Sequence, residues 1–91
     1  MKKSVRLYIT GSIQSMFFEL FIKQQAEANK VKGFYRKLED GRGEVFVEGS
    51  DENVDAMVLA CKNGPRHSQI RKVEEKEEKF QDFKEFRIIK I

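Results

Sequence analysis

The residues best placed to do chemistry are Gly11-Ser12-Ile13-Gln14-Ser15-Met16-Phe17-Phe18-Glu19. A strand that closes on glycine, bends through a few polar residues and turns abruptly into an apolar helix forms a loop suited to cradling an anion. Backbone N–H groups gather at the helix N-terminus, where the helix dipole favours negative charge. One glycine and two serines let the bend be tight without a bulky side chain blocking the approach. Taken alone, the same pattern is ordinary helix capping.

Composition narrows the chemistry. The 91 residues suit one domain, small but able to bury a modest core unaided. Hydrophobic residues make up 40% and charged residues 36%, a globular balance. The net charge of +3, from 18 basic and 15 acidic side chains, is not that of a nucleic-acid-binding chain. Cys61 is the single cysteine, which excludes an intrachain disulfide and fits a reducing compartment. One cysteine and one histidine (His67) cannot assemble a His/Cys zinc set, so no metal is expected. Met-Lys-Lys before an alternating pattern is too short and polar for a signal peptide, and no apolar run reaches membrane-span length. The expected location is cytoplasmic.

The elements that must hold the loop follow from periodicity. Val5, Leu7 and Ile9 alternate with Arg6, Tyr8 and Thr10 in a half-buried strand ending at Gly11. Phe18, Phe21, Ile22, Gln25 and Ala26 recur at helical spacing and predict a helix over residues 16–29, with Asn29 as a left-handed C-cap. Met16, Phe17 and Leu20 widen its apolar arc. They are expected to be a buried helix start, the other outcome being an exposed patch for a protein partner. Val31 to Leu38 reads as a second strand, joined through Asp40-Gly41 to Glu44-Val45-Phe46-Val47-Glu48 as a hairpin.

A second helix opens at Ser50 or Asp51, buries Val54, Met57, Val58 and Cys61, and stops at Gly64-Pro65. Gln69 to Val73 and Phe86-Arg87-Ile88 are the last strands. Between them the charge run from Glu74 to Lys79 is expected to be a solvated strand end or loop. The order β-α-β-β-α-β plus a terminal strand predicts an α+β, ferredoxin-like sandwich, an antiparallel sheet with two helices on one face. The loop then falls at the sheet edge, beside the end of the second strand.

These residues resemble a known family. The stretch from Gly11 to Glu19 is similar to the acylphosphatase signature G-x-V-Q-G-V-x-F-R, and Gly33-Phe34-Tyr35-Arg36-Lys37 to its second motif, G-x-V-x-N. Asp40-Gly41, Glu48-Gly49 and Gly64-Pro65 fall where acylphosphatases carry a hairpin turn, a strand-end Glu-Gly and the break after the second helix. The resemblance runs from about Val5 to Val73 and resumes at Phe86-Arg87-Ile88. It implies a small cofactor-free enzyme that hydrolyses carboxyl–phosphate anhydrides, with small anions or acyl phosphates as ligands. It also implies that loop N–H groups at Ser12, Ile13, Gln14, Ser15, Met16 and Phe17, with the motif arginine, hold the phosphate while the asparagine positions water. A guanidinium can grip two phosphate oxygens at once, and phosphoryl transfer needs mostly positioning and charge.

Both of those side chains are replaced here. Glu19 stands at the arginine and Lys37 at the asparagine, and Ser15 replaces the middle glycine. Two like unit charges about 4 Å apart repel by roughly 1–4 kcal/mol in surroundings between water and a protein surface. Glu19 therefore opposes the anion and also removes its attraction. Lys37 cannot take a proton from water while charged, although it can attract phosphate. Glu19 and Lys37 could instead neutralise each other as a salt bridge across the site.

The reading that follows is an acylphosphatase-like domain with catalysis lost or severely impaired. The alternative is a working hydrolase in which Lys37, Arg36 or Arg6 supplies the missing charge and the loop donors persist. A second alternative, nucleic-acid binding through Phe34, Tyr35, Arg36, Lys37 and Phe46 on a sheet face, is weaker because Phe34 and Tyr35 occupy the family's own strand positions. His67 could be offered as a general base, but it lies far along the chain from the loop and reads better as a surface histidine.

Overall fold

Alternation along the first strand and helical spacing after it produce the expected elements in a computed structural model that describes residues 1–13, 15–65 and 69–90, Ser15 by its backbone alone. In chain order they are β1 (Lys2–Ser12), α1 (Ser15–Ala28), β2 (Lys32–Lys37), β3 (Gly43–Ser50), α2 (Asp51–Asn63), β4 (Gln69–Glu77) and β5 (Phe86–Ile89). The sheet order is β4-β1-β3-β2-β5. Val5, Leu7 and Ile9 of β1, Tyr35 of β2 and Val45 and Val47 of β3 turn to one face. There they meet Phe18, Ile22 and Ala26 of α1 and Val54, Met57, Val58 and Cys61 of α2. The inward face of α2 is the one its spacing predicts.

Caps set the helix limits. The Ser50 hydroxyl accepts the Asn53 N–H at 3.3 Å, and Gly64, at φ 70°, donates its N–H to the Ala60 carbonyl at 2.9 Å. At the end of α1 the left-handed residue is Lys30, φ 56°, rather than Asn29. Asn29 uses its side chain instead, with Nδ2 donating to the Gln25 carbonyl at 2.8 Å. Asn29 thus adds a second donor to a carbonyl that its own backbone N–H already engages at 2.9 Å, and the turn itself falls one residue later.

The sheet is mixed. Four strands pair antiparallel as expected, while β5 lies parallel to β2, with Phe86 opposite Gly33 and Ile88 opposite Tyr35. The cause is the connection. Residues 78–85 cross from the β4 edge to the β2 edge over the face that carries no helix, so β5 arrives from across the sheet rather than through a hairpin. Phe83 in this strap packs on Phe34 and Phe46, with ring centroids 5.8 and 5.4 Å apart. The Gln81 and Phe83 N–H groups both donate to the buried Glu48 carboxylate, at 2.7 and 2.5 Å. β3 is therefore covered on both faces, which is why it reads Val-Phe-Val without interruption. The charge run continues β4 to Glu77 as a solvated edge strand, a composition that discourages pairing with other chains. Among the described residues no helix is long and apolar enough to cross a membrane.

Candidate functional site

The loop rises from the C-terminal end of β1, which is an inner strand. It therefore sits at the end of the sheet rather than along its lateral edge. The pairing with β4 shifts between Thr10 and Gly11. A Cβ at Gly11 would lie 2.1 Å from the Gln69 carbonyl oxygen, so only glycine lets the backbones approach this closely at the loop entrance. Ile13 and Phe18 are buried and pin the two ends of the bend. Gln14 and the Ser15 side chain lie outside the described residues, as does His67.

Register brings the second motif alongside. Lys37 pairs with Gly43, and Gly43 pairs with Ile9, so the end of β2 is level with the end of β1 beneath the loop. Gly33, which opens this motif, has φ 141°, and a Cβ there would fall 1.8 Å from the Phe46 carbonyl oxygen. Lys37 itself is exposed.

Tyr35, at the motif's valine, points to the same side of β2 as Lys37 and is fully buried against Phe18, 5.5 Å between ring centroids. Its hydroxyl lies close to Gly43 and Ile13 and has no hydrogen-bond partner among the described residues. Burial, and secondarily the Glu19 charge, push its pKa up to about 12, so it stays a protonated donor at any physiological pH.

Glu19 is partly buried on α1. Its carboxylate is paired with the ammonium of Lys90, 3.5 Å away, and not with Lys37. The salt bridge considered between Glu19 and Lys37 is thus replaced by one to a residue at the far end of the chain. The parallel register that sets Ile89 opposite Arg36 carries Lys90 up to the level of Lys37. Sequence reasoning missed Lys90 because its approach depends on a crossover between distant strands.

Two of the three substitute charges considered are elsewhere. Arg6 and Arg36 lie on the strap side of the sheet, both gripping the buried Glu44 carboxylate, Arg36 Nε at 2.5 Å. They cannot serve the loop. Nor do the residues considered for nucleic acid share one face: Phe34 stacks on Phe46 at 5.9 Å, Phe83 packs on both rings, and Tyr35 and Lys37 face the other way.

The start of α1 is exposed, contrary to expectation, with Met16 and Phe17 74% and 73% accessible and Leu20 also open. The helix buries a single stripe, Phe18, Ile22 and Ala26, spaced four apart, and the other apolar residues fall outside it. The result is an apolar rim at the start of α1, directly after the loop.

Comparison with known proteins agrees with this geometry. The acylphosphatase family model matches residues 5–88. An acylphosphatase of Rubrobacter xylanophilus is 41% identical over 75 residues, covering 82% of this chain and 68% of that protein. One from Syntrophus aciditrophicus is 33% identical over 90 residues, covering 98% and 94%. The crystal structure of the Bacillus subtilis acylphosphatase superposes with a TM-score of 0.90 at 26% identity, over 99% of this chain and all of that one. A ferredoxin-like sheet with its glycine-led loop and second motif in register, matched over nearly the whole chain, places this protein in the acylphosphatase family.

Proposed function

We propose that this acylphosphatase-family domain binds small anions, acyl phosphates foremost, in its loop but hydrolyses them weakly or not at all. One observation carries the reading. Position 19, where the motif has its phosphate-gripping arginine, holds a carboxylate whose partner is Lys90. The water-positioning asparagine is Lys37, which has no proton-accepting capacity while charged. Loop N–H groups remain as donors, and the exposed Met16, Phe17 and Leu20 rim offers a place for the apolar part of a ligand or for a protein partner.

Loss of one charge-stabilising donor costs roughly a hundred- to a thousandfold in turnover. The purified protein should therefore act on benzoyl phosphate with kcat/KM below about 10² M⁻¹s⁻¹, against a usual enzymatic range of roughly 10⁴–10⁸. Titration with inorganic phosphate should meanwhile shift the amide resonances of the loop. A kcat/KM of about 10⁴ M⁻¹s⁻¹ or more overturns the proposal. A second reading, residual hydrolysis supported by lysine, is favoured by the convergence of Lys37 and Lys90 at one level of the sheet. It requires that Lys37→Ala or Lys90→Ala abolish whatever turnover exists.

A further inference from the structure

The end of the sheet opposite the loop carries a concavity. It is bordered by the first residue of β1, the first of β2 and the last of β3, whereas the loop follows the other ends of β1 and β2. β1 runs from Lys2 at the cleft to Ser12 at the loop, ten steps of roughly 3.3 Å, so the two regions lie at most about 33 Å apart. The cleft has a volume of about 540 Å³, within the range of roughly 300–1,000 Å³ typical of small-molecule sites.

Its lining is divided by chemistry. Phe80 and Phe83 of the strap supply an apolar wall, and Phe80 is 43% exposed although large and hydrophobic. Lys2, Lys30 and Lys32 supply the rim, and among the described residues none of them forms an ion pair with a carboxylate. Lys2 already lies over the Phe80 ring, 4.9 Å from its centroid. The Glu48 carboxylate at the cleft is turned inward, accepting from the Ser4 hydroxyl and the Gln81 and Phe83 N–H groups. Asp82 is engaged by Lys84 at 3.0 Å. The Lys84 hydrogen bond and charge hold its carboxyl below the usual range, and the fields of Lys2 and Lys32 reach it as well.

Both non-glycine residues with left-handed backbone among those described, Lys30 and Asp82, line this cleft. At Lys30 this is the turn that ends α1, and aspartate is among the residues that adopt it most readily. Three ammonium groups with no carboxylate partner among the described residues, set around a concave aromatic wall, focus positive potential on a space where an apolar body can be buried.

We propose that this cleft binds a small aromatic anion, its ring against Phe80 and Phe83 and its charged group against Lys2, Lys30 and Lys32. The site is independent of the loop and of whether the loop hydrolyses anything. The test is a titration of the full chain with 1-naphthyl phosphate, followed by amide chemical shifts, with 1-naphthol and inorganic phosphate as separate arms. Saturable shifts are expected at Lys30, Lys32, Gly49, Ser50 and Phe83. The double variant Lys30→Gln, Lys32→Gln should weaken this binding at least tenfold. Phe80→Ala should weaken it severalfold while leaving the response to inorganic phosphate unchanged. Lys62→Gln, remote from the cleft, should have no effect. Shifts confined to the Ser12–Phe17 loop overturn the proposal. So does equal binding of 1-naphthol, or binding indifferent to the lysine and phenylalanine substitutions in folded protein.

Discussion

Glu48 and Glu19 are both carboxylates on secondary structure, and the molecule treats them in opposite ways. Glu48 is 2% exposed, accepts from one hydroxyl and two backbone N–H groups, and ties the strap to the sheet. Glu44 on the same strand is as deeply buried and engaged by two arginines. Among the described residues Glu19 meets a single lysine, at 3.5 Å, and that lysine is largely exposed. The strap face thus holds two buried carboxylates, each engaged by several donors. The loop end is open, and a residue there can change charge without disturbing what holds the sheet together. A change of charge at position 19 should therefore leave the fold intact.

The contrast yields a graded set of expectations. Glu48→Ala leaves the buried Ser4 hydroxyl and two part-buried strap N–H groups without their acceptor and frees the strap, and should lower unfolding free energy in urea by about 3 kcal/mol. A loss under about 1 kcal/mol would mean that the strap is held by its phenylalanines alone. Glu44→Ala leaves Arg6 and Arg36 side by side. It should cost about 2 kcal/mol by the same measurement, less than Glu48 because the arginines are partly in water.

Tyr35→Phe removes a buried hydroxyl with no partner among the described residues and should leave stability at pH 7 unchanged or higher by about 1 kcal/mol. Its pH dependence is also diagnostic. The folded tyrosine ionises only near pH 12 and the unfolded one near 10.0, so its stabilising effect is complete below pH 10 and is lost as pH rises towards 12. The buried Cys61 thiol, raised by burial from 9.0 to about 12, adds a loss that begins near pH 9. Tyr35→Phe should remove the part between pH 10 and 12 and leave the Cys61 part. Glu19→Gln should be the mildest change, under about 0.5 kcal/mol. A loss comparable to that of Glu48→Ala would erase the distinction between the two regions.

What could be read from the sequence is local. The inward residues of α2, the Ser50 cap, the Gly64 stop and the hairpin around Asp40-Gly41 each follow from spacing or turn chemistry within a few residues. The two family motifs, and the replacements at Glu19 and Lys37 within them, were equally visible. The strap was not, because nothing in residues 78–85 announces that they cross a sheet face, and with it went the parallel placement of β5. Lys90 was hidden for the same reason. Arg6 and Arg36 looked available to the loop until pairing across β1, β3 and β2 put them on the other side with Glu44. The exposure of Met16 and Phe17 was missed because an apolar arc does not state how much of itself the core can cover.

The most direct test of the account is the rate of benzoyl phosphate hydrolysis by the double variant Glu19→Arg, Lys37→Asn beside the wild type. Lys90→Ala is added in a parallel sample to relieve repulsion at the new arginine. If the loop is intact and only its side chains were exchanged, kcat/KM should rise about a hundredfold or more over the wild type. Equal rates in all three folded proteins would contradict it, and would place the loss of catalysis in the shape of the loop itself.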